Sequence, residues 1–311
     1  MIALRHVSKF FGPSSAVEDF SLRIEAGAFF VFVGPSGCGK STVLRMINAM
    51  IEADRGTIEI RGKDISALDK VELRRGIGYV IQSGGLFPHW SIAENIEAVP
   101  RLLGWNRGKI DARVEEIVGL LQIDRSLLAR YPRQLSGGQQ QRIGVARALA
   151  ADPDIILMDE PFAALDPVSR ANLQDELRRL HAQSDKTIVF VTHDMDEALR
   201  LATDVLVMNK GRVVQTGAPA QILLHPANDF VRAFLGREAL GFRLLDFVKV
   251  GERAAPGSGS LGATIKASAS LKDALNLMLE RHHARLHVVD DNGASLGEID
   301  IADIVAGHHA N

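Results

Sequence analysis

The stretch VGPSGCGKSTVLRMI, residues 33–47, sets three glycines and a proline directly before an apolar helical pattern. A glycine weakens a helix or strand by roughly 0.5–1 kcal/mol relative to alanine, so this cluster needs a physical reason. Residues 34–41 match G-x-x-x-x-G-K-[S/T], in which backbone N–H groups and a helix N-terminus cradle phosphate oxygens. The stretch therefore predicts a phosphate-binding loop between a strand and a helix.

The side chains of this loop have distinct expected roles. Lys40 is expected to reach the β- and γ-phosphates of a nucleoside triphosphate, and Ser41 is expected to ligate Mg²⁺. We interpret Cys38 as a small tolerated residue rather than a redox switch. The loop residues predicted to bind the nucleotide are Gly34, Pro35, Ser36, Gly37, Cys38, Gly39, Lys40, Ser41 and Thr42.

Apolar runs that alternate with helical patterns predict the fold class. The runs at 28–34, 76–82, 154–160 and 186–194 are nearly continuous in apolar residues, which is typical of strands buried on both faces of a parallel sheet. Helical spacing of leucines predicts a helix over 167–183. Strands alternating with helices indicate an α/β fold. Residues 88–150 break this alternation, and we predict that they form a mostly helical insertion.

Composition limits the classes of function. The chain has 311 residues, 46% of them apolar and 24% charged, which is ordinary globular usage. Its formal net charge of −2 gives no overall basic field for nucleic acid, so we predict no nucleic-acid partner. A single cysteine suits a reducing compartment. No run of 18 apolar residues is present, so we expect a soluble chain that can still dock on a membrane protein.

A second chemical motif, DIILMDEP, follows further along the chain. Its apolar residues predict a buried strand that delivers Asp159 and Glu160 to the strand's carboxyl end, where open α/β sheets bind ligands. Asp159 is expected to hold Mg²⁺ through water, and Glu160 to orient or deprotonate an attacking water. Taken alone, the motif could equally be an acidic strand end or a helix N-cap. Beside a phosphate loop, the catalytic interpretation is favoured.

A third motif, LSGGQQQR, places Ser136 and two glycines before another helix and so predicts a second anion site. The loop at 34–41 already supplies the phosphate-binding groups that a single nucleotide needs. We therefore predict that this second site serves the nucleotide of a neighbouring chain.

Taken together, these motifs resemble a known family. Residues 1 to about 236 look like the ATP-binding subunit of an ABC transporter, with LSGGQQQR as its signature motif. By the same resemblance, Phe11 falls where an aromatic ring stacks on adenine, and Gln82 matches the Q-loop glutamine. His193 matches the switch histidine, and the ALD sequence ending at Asp166 matches the D-loop. Singly, Phe11 could be a core aromatic, Gln82 a solvated strand end and His193 a turn histidine.

The resemblance implies a fold and a mechanism. The fold is a P-loop NTPase of the ABC ATPase type, with a mixed sheet and a helical subdomain at about 88–150. Two copies would face each other head to tail, each completing the other's ATP site. The implied catalytic residues are Glu160, His193 and Gln82, and the implied Mg²⁺ ligands are Ser41, Gln82 and Asp159. The residues implied to touch the partner's ATP are Ser136, Gly137, Gly138, Gln139 and Asp166.

Residues 79–105 narrow the resemblance to importers of glycine betaine, carnitine and choline. In that subfamily, the positions of Phe87, Pro88 and Trp90 receive the coupling helix of a transmembrane permease. The alternative is that Phe87 and Trp90 pack inside the helical subdomain. Implied partners are a second copy, the permease and, through it, an extracytoplasmic solute-binding protein. The implied location is the cytoplasmic face of the plasma membrane.

The end of the chain predicts a small α+β unit. The stretch at 250–262 is rich in Gly, Ala, Ser and Pro, so we predict a linker at 237–260, followed at 261–311 by a segment that resembles a single CBS motif. Since a lone motif buries little apolar surface, we predict that the tails of two copies pair. Asp300 stands where nucleotide-binding CBS motifs carry a hydroxyl, so we predict no nucleotide there. We interpret the four tail histidines as solvated rather than metal-bound: His282, His283, His308 and His309.

Two rival functions stay open. The nearer one is the same machine for amino acids or another small solute. The other is a soluble ABC ATPase of translation or DNA repair, although such chains typically carry two ATPase domains or a long coiled coil, and neither pattern is present.

Overall fold

The structure is a computed structural model that describes residues 1–82, 85–163, 165–236, 240–255 and 263–306. The chain divides into two compact units, Met1–Ile222 and Leu223–Asn311. The boundaries of 236 and 260 inferred from composition stay predictions. Across the described residues, no helix has the length and apolar character needed to cross a membrane.

The first unit contains two sheets and most of the helices. Its strands are β1 (Ile2–Phe11), β2 (Ser14–Ile24), β3 (Phe29–Val33), β4 (Arg55–Ile60), β5 (Lys63–Asp64), β6 (Ile77–Val80), β7 (Ile155–Asp159), β8 (Thr187–Thr192), β9 (Asp204–Asn209) and β10 (Arg212–Gly217). Its helices are α1 (Lys40–Ile47), α2 (Lys70–Arg75), α3 (Ile92–Leu102), α4 (Arg107–Leu120), α5 (Gly137–Ala150), α6 (Pro167–Ala182) and α7 (Met195–Leu201), and α8 (Pro219–Leu224) crosses the boundary.

The central sheet has six strands in the order β10-β9-β3-β8-β7-β6. Five strands run parallel, and only β10 is antiparallel to its neighbour. All residues of β3, β7 and β8 are buried, as their continuous apolar runs predict. The four strands expected from the sequence are confirmed. Their parallel order brings the carboxyl ends of β3, β6, β7 and β8 to one edge, which positions the site.

A second, antiparallel sheet of order β2-β1-β4-β5 was not expected from the sequence. Several register shifts interrupt the pairing of β1 with β2, and β1 with β4. Such bulges break the alternation of apolar and polar residues by which a half-buried strand is recognised. Side chains of both sheets and of α1 form one core, which includes Ile2, Phe20 and Leu44.

The region 88–150 is helical, as predicted, and lies in the chain between β6 and β7. It contains α3, α4 and α5, whose N-caps are Ser91, Asn106 and Ser136. In each case the capping side chain accepts a hydrogen bond from a backbone N–H of the first turn. These caps fix where each helix begins because they satisfy donors that the helix leaves unpaired.

The second unit has a three-stranded sheet of order β11-β12-β13. Its elements are α9 (Asp229–Leu235), α10 (Leu240–Leu244), β11 (Thr264–Lys266), α11 (Leu271–Arg281), β12 (Arg285–Val289), β13 (Ser295–Asp300) and α12 (Ile301–Ala306). The predicted succession of helix, strand, turn and strand is confirmed in α11, β12 and β13. Leu271 and Met278 of α11 are buried against Leu286 and Val288.

Part of the predicted linker belongs to this second core. Leu245 and Val250 pack with the buried residues of α11 and β12, and Ala255 exchanges two backbone hydrogen bonds with Glu298. The described residues 240–255 are therefore folded rather than a linker, because their apolar side chains supply contacts to this core. Residues 256–260 of the predicted linker lie outside the described residues.

Candidate nucleotide-binding and hydrolysis site

The loop after β3 has the geometry that its glycines predict. Gly37 and Gly39 have φ of 77° and 105°, values that favour glycine. A Cβ on Gly39 would lie 2.3 Å from the carbonyl oxygen of Ala16, and one on Gly34 would lie 2.2 Å from that of Met208. These positions therefore exclude any side chain, while α1 begins at Lys40 with its N-terminus at the loop. The arrangement is a cradle for an anion.

The side chain of Lys40 lies inside this loop and is hydrogen-bonded to its backbone. Its side chain is almost fully buried, and its Nζ donates hydrogen bonds to the carbonyl oxygens of Gly34 at 2.7 Å and Pro35 at 3.0 Å. A buried ammonium needs such partners. Cys38 is buried beside it, and burial raises the pKa of the thiol. A neutral thiol is a poor nucleophile, which agrees with a packing role for Cys38.

Ser41 and Asp159 meet across 118 positions of sequence. The Ser41 hydroxyl donates a hydrogen bond of 2.6 Å to Oδ1 of Asp159, the last residue of β7. Asp159 is 1% exposed, and burial raises the pKa of its carboxyl despite the Ser41 hydrogen bond and nearby Arg45. A hydroxyl and a carboxylate side by side are oxygen ligands of the kind Mg²⁺ prefers, so this pair fits the predicted metal position.

Two predicted catalytic residues, Gln82 and His193, contact one carboxylate oxygen of the third, Glu160. Gln82, two residues beyond β6, donates from Nε2 to Oε2 of Glu160 at 3.1 Å. Nδ1 of His193, just beyond β8, lies 3.3 Å from the same oxygen. Glu160 has a left-handed φ of 45°, and its N–H donates to the carbonyl of Val191. This strained backbone turns the carboxylate of Glu160 toward the ends of both neighbouring strands.

Phe11 ends β1 with its ring about half exposed, at 52%, and Nζ of Lys9 lies 5.6 Å from the ring centroid. An exposed aromatic ring offers a flat apolar face, which is the requirement for stacking on a base. The core-aromatic alternative for Phe11 does not match this exposure.

The signature segment forms a second, separate helix N-terminus. Ser136 caps α5 in a reciprocal arrangement: its hydroxyl accepts from the Gln139 N–H, and the Gln139 side chain accepts from the Ser136 N–H. A Cβ on Gly138 would lie 3.0 Å from the Leu165 side chain, so α5 begins beside the D-loop segment. Asp166 caps α6 by accepting from the N–H groups of Val168 and Ser169. Ala164 lies outside the described residues.

The signature and the phosphate loop are not brought together within one chain. No hydrogen bond or ion pair of the described residues joins Ser136, Gly137, Gly138 or Gln139 to the loop at 34–41. No such contact therefore links the two candidate anion sites in the described part of the chain, and the role of the second site toward another copy stays a prediction.

Comparisons with known proteins identify the family. The model of the ABC transporter family matches residues 17–163, and that of the CBS domain matches residues 263–307. The chain is 50% identical to the glycine betaine uptake system ATP-binding protein YehX of Escherichia coli K12, over 98% of this chain and 99% of that protein. The chain belongs to the ABC transporter ATP-binding family. The predicted ATPase fold and enzyme class are thereby confirmed.

Two further relatives of this ABC ATP-binding chain bear on its site. It is 48% identical to the glycine betaine/carnitine/choline transport ATP-binding protein OpuCA of Bacillus subtilis, over 97% of this chain and 78% of that protein. A dimeric post-hydrolysis structure of the ATP-binding cassette MJ0796 with ADP and phosphate superimposes with a TM-score of 0.65 at 33% identity, covering 70% of this chain and 99% of that one. Nucleotide binding therefore follows from family membership.

Several residues near the ATPase site were missed in the sequence. Arg45 lies 3.7 Å from Asp159, and its position one helical turn after Ser41 could have indicated this. Arg147 of α5 donates to the carbonyl of Gly85 at 2.8 Å and lies over the ring of Phe87. This contact joins α5, the helix that follows the signature motif, to the segment after Gln82. No local sequence pattern predicts such a contact.

The aromatic residues after the Q-loop form a surface cluster. The rings of Phe87 and Trp90 are 4.6 Å apart, and Phe87 is exposed while Trp90 is half-buried. Buried Asn95 holds the segment through hydrogen bonds with the backbone of Phe87 and Trp90. The rigid, partly exposed rings are suited to docking a partner.

In the CBS unit, Asp300 is an ionised carboxylate at the position where nucleotide-binding CBS motifs carry a hydroxyl. Asp300 accepts hydrogen bonds from the Ala302 N–H and from Nε of Arg285 at 2.8 Å, and these lower the pKa of its carboxyl. An ionised group at that position repels phosphate, and the absence of nucleotide there stays a prediction. No cluster of three or more potential metal ligands occurs among the described residues. His308 and His309 lie outside them.

Proposed function

We propose that this chain is the ATP-hydrolysing subunit of an ABC importer that takes up a compatible solute such as glycine betaine, carnitine or choline. It would act as a dimer at the cytoplasmic face of the plasma membrane, beneath a permease supplied by an extracytoplasmic solute-binding protein. The observation that carries the solute class is similarity over nearly the whole chain, tail included, to YehX and OpuCA.

The ATPase part alone does not decide the solute. A sulfate/thiosulfate import ATP-binding protein of Thermosynechococcus vestitus is 47% identical, but over only 76% of this chain. Identity of that size within the ATPase unit is therefore compatible with several solutes. Quaternary amines are favoured over the rival solutes because similarity to YehX and OpuCA extends beyond the ATPase unit into the C-terminal CBS unit.

The mechanism proposed for ATP hydrolysis is based on the contacts that Gln82 and His193 make with Glu160. Its carboxylate would accept a proton from an attacking water that Gln82 helps to orient, while His193 would contact the γ-phosphate. Lys40 and the N–H groups of the loop would neutralise and hold the β- and γ-phosphates. Ser41, Asp159 and Gln82 would hold Mg²⁺, which supplies charge neutralisation on the phosphate oxygens when bound.

The second copy would complete this site. In the proposed dimer, Ser136 and Gly138 of one copy bind the γ-phosphate held by the other, so ATP joins the two chains and hydrolysis releases them. The lack of a hydrogen bond or ion pair between the two anion sites, among the described residues of one chain, is compatible with this arrangement. Closure would move the helical region and, through the Phe87 and Trp90 cluster, the coupling helix of the permease.

Uptake measurements test the proposed solute. In a host lacking betaine uptake, we expect this chain, expressed with a permease subunit from its own organism that co-purifies with it, to restore accumulation of labelled glycine betaine under salt stress. The Glu160→Gln variant is the matched control and is expected to restore none. Accumulation of labelled amino acids or sulfate instead of betaine, carnitine or choline would favour the rival importer. Failure to co-purify with a multi-spanning protein would favour the soluble rival.

The pairing of two tails is a separate expectation. Leu279 of α11, Leu296 of β13 and Ile301 of α12 are large apolar side chains left exposed on the described part of the CBS unit. If two such units pair, Leu279→Asp should weaken the ATP-independent self-association of the full chain by at least about tenfold, because it buries a charge in the contact. Sedimentation equilibrium measures this. An unchanged association constant would contradict pairing through Leu279.

A further inference from the structure

The switch histidine sits in a loop held by a closed set of hydrogen bonds. Thr192 donates from Oγ1 to Oε2 of Glu197 at 2.6 Å, and the same hydroxyl accepts from the Asp194 N–H at 3.0 Å. Asp194 in turn caps α7 by accepting from the N–H of Asp196 and, at 3.4 Å, from that of Glu197. His193 lies inside this set, so its position depends on Asp194 and Glu197.

Glu197 is unusual because it is a carboxylate only 6% exposed. Burial raises the pKa of its carboxyl, while the Thr192 hydrogen bond, Arg170 and His193 lower it. A buried acidic side chain costs free energy unless a cation stands near it. The cation nearest to Glu197 in the described chain comes from a different element, helix α6.

Arg170 supplies that cation. Its Nε lies 3.8 Å from Oε1 of Glu197, and its Nη1 lies 3.8 Å from Oδ2 of Asp194. Both distances are ion-pair contacts but exceed hydrogen-bond length. The Nε is buried and has no hydrogen-bond partner among the described residues. Since an unpaired buried donor costs free energy, a shift of less than about 1 Å would gain two charge-assisted hydrogen bonds.

Arg170 is also tied to the D-loop. It lies one helical turn after Asp166, the cap of α6, and its N–H donates to the Asp166 carbonyl at 2.9 Å. One small cavity is lined by Arg170 and Glu197 together with Glu160 and His193. The contacts from the start of α6 to the hydrolytic carboxylate are therefore continuous.

We propose that Arg170 is a positioning residue for ATP hydrolysis, which links the start of α6 to the His193 loop through Asp194 and Glu197. The inference rests on the proposed function of Asp166, His193 and Glu160. A second copy that contacts the segment ending at Asp166 would draw Arg170 onto the two carboxylates, and His193 would then be fixed against Glu160. Binding of ATP by the loop at 34–41 does not involve this path.

Steady-state ATPase kinetics of the full chain test the inference. We expect Arg170→Ala to lower kcat by at least about tenfold while KM for ATP changes by less than about twofold, because transition-state geometry is lost and ground-state binding is kept. Arg170→Lys, which keeps the charge, is expected to recover part of the rate. The matched control is Arg178→Ala, which removes an exposed arginine from the same helix and should leave kcat within about twofold.

A double variant separates positioning from loss of structure. Glu197→Gln removes the charge that faces Arg170 but keeps an oxygen for Thr192. If both residues act on one path, Arg170→Ala/Glu197→Gln should be no slower than the slower single variant. If Arg170→Ala does not fold, the Arg170→Lys and Glu197→Gln pair replaces it in the same comparison.

Three results would overturn the inference: Arg170→Ala within twofold of wild-type kcat, a parallel rise in KM, or single effects that multiply in the double variant. Wild-type protein that hydrolyses no ATP would instead contradict the proposed function. The two failures are thus distinguishable in one set of measurements.

Discussion

Replacing Glu160 with glutamine should abolish nearly all ATP turnover while leaving ATP bound. A general base contributes roughly 10²–10⁴-fold to a rate, and an amide cannot accept the proton. The substitution keeps the shape of the side chain and an oxygen that can accept from Gln82, whose contact with Glu160 is 3.1 Å in the native site. We therefore expect a fall of at least about 100-fold in kcat.

Phosphate release from the full chain, with ATP affinity measured in parallel, checks this expectation. Asp154→Asn is the matched control, because Asp154 is an exposed carboxylate just before β7, at the end opposite to Glu160. It should leave turnover within about twofold. A Glu160→Gln protein that retains half of the wild-type rate would show that another group takes the proton.

The second large effect is expected at Ser136. Its hydroxyl caps α5 and, in the proposed dimer, faces the γ-phosphate held by the other copy. Ser136→Glu would set a carboxylate against that phosphate, at a helix N-terminus whose role is to bind an anion. Loss of one such stabilising donor typically costs about 10²–10³ in rate, so we expect ATPase activity to fall by at least about 100-fold.

ATP binding to the separate chain should survive this change, because no hydrogen bond or ion pair of the described residues joins Ser136 to the phosphate loop. Ser126→Glu adds the same charge at another exposed serine of the helical region and is the control. Fluorescent-nucleotide titration and steady-state ATPase assays measure the two quantities. ATPase activity that is unchanged in Ser136→Glu and independent of protein concentration would refute a shared site.

The parts of this site that could be predicted from sequence are those set by local patterns. The loop at 34–41 could be recognised because glycines with a fixed spacing precede a helix. The structure explains two of these glycines, since a Cβ at Gly34 or Gly39 would collide with the backbone of another segment. Asp159 and Glu160 come at the end of an apolar run that predicts a buried strand, and the structure has one there. The position of each was therefore readable from a few neighbouring residues.

The parts that escaped prediction depend on contacts between distant segments. Arg170 of α6 contacts Glu197 of α7, which lies 27 positions later in the chain. Neither residue belongs to a sequence motif from which this contact could be predicted. The antiparallel sheet escaped because bulges disturb the alternation in β1. Val250 is buried in the CBS core, yet it opens a stretch, 250–262, whose Gly, Ala, Ser and Pro content indicates a linker. Packing, rather than local pattern, decides such cases.

The central claim is that two chains clasp each nucleotide from opposite sides, and sedimentation velocity of Glu160→Gln tests it most directly. With ATP, this protein should sediment as a dimer carrying two nucleotides, because the bound ATP is no longer hydrolysed and continues to join the chains. Glu160→Gln combined with Ser136→Glu should bind ATP yet show no such ATP-dependent dimer. If ATP leaves the sedimentation of Glu160→Gln unchanged, or if the double variant dimerises equally well, the shared site does not exist.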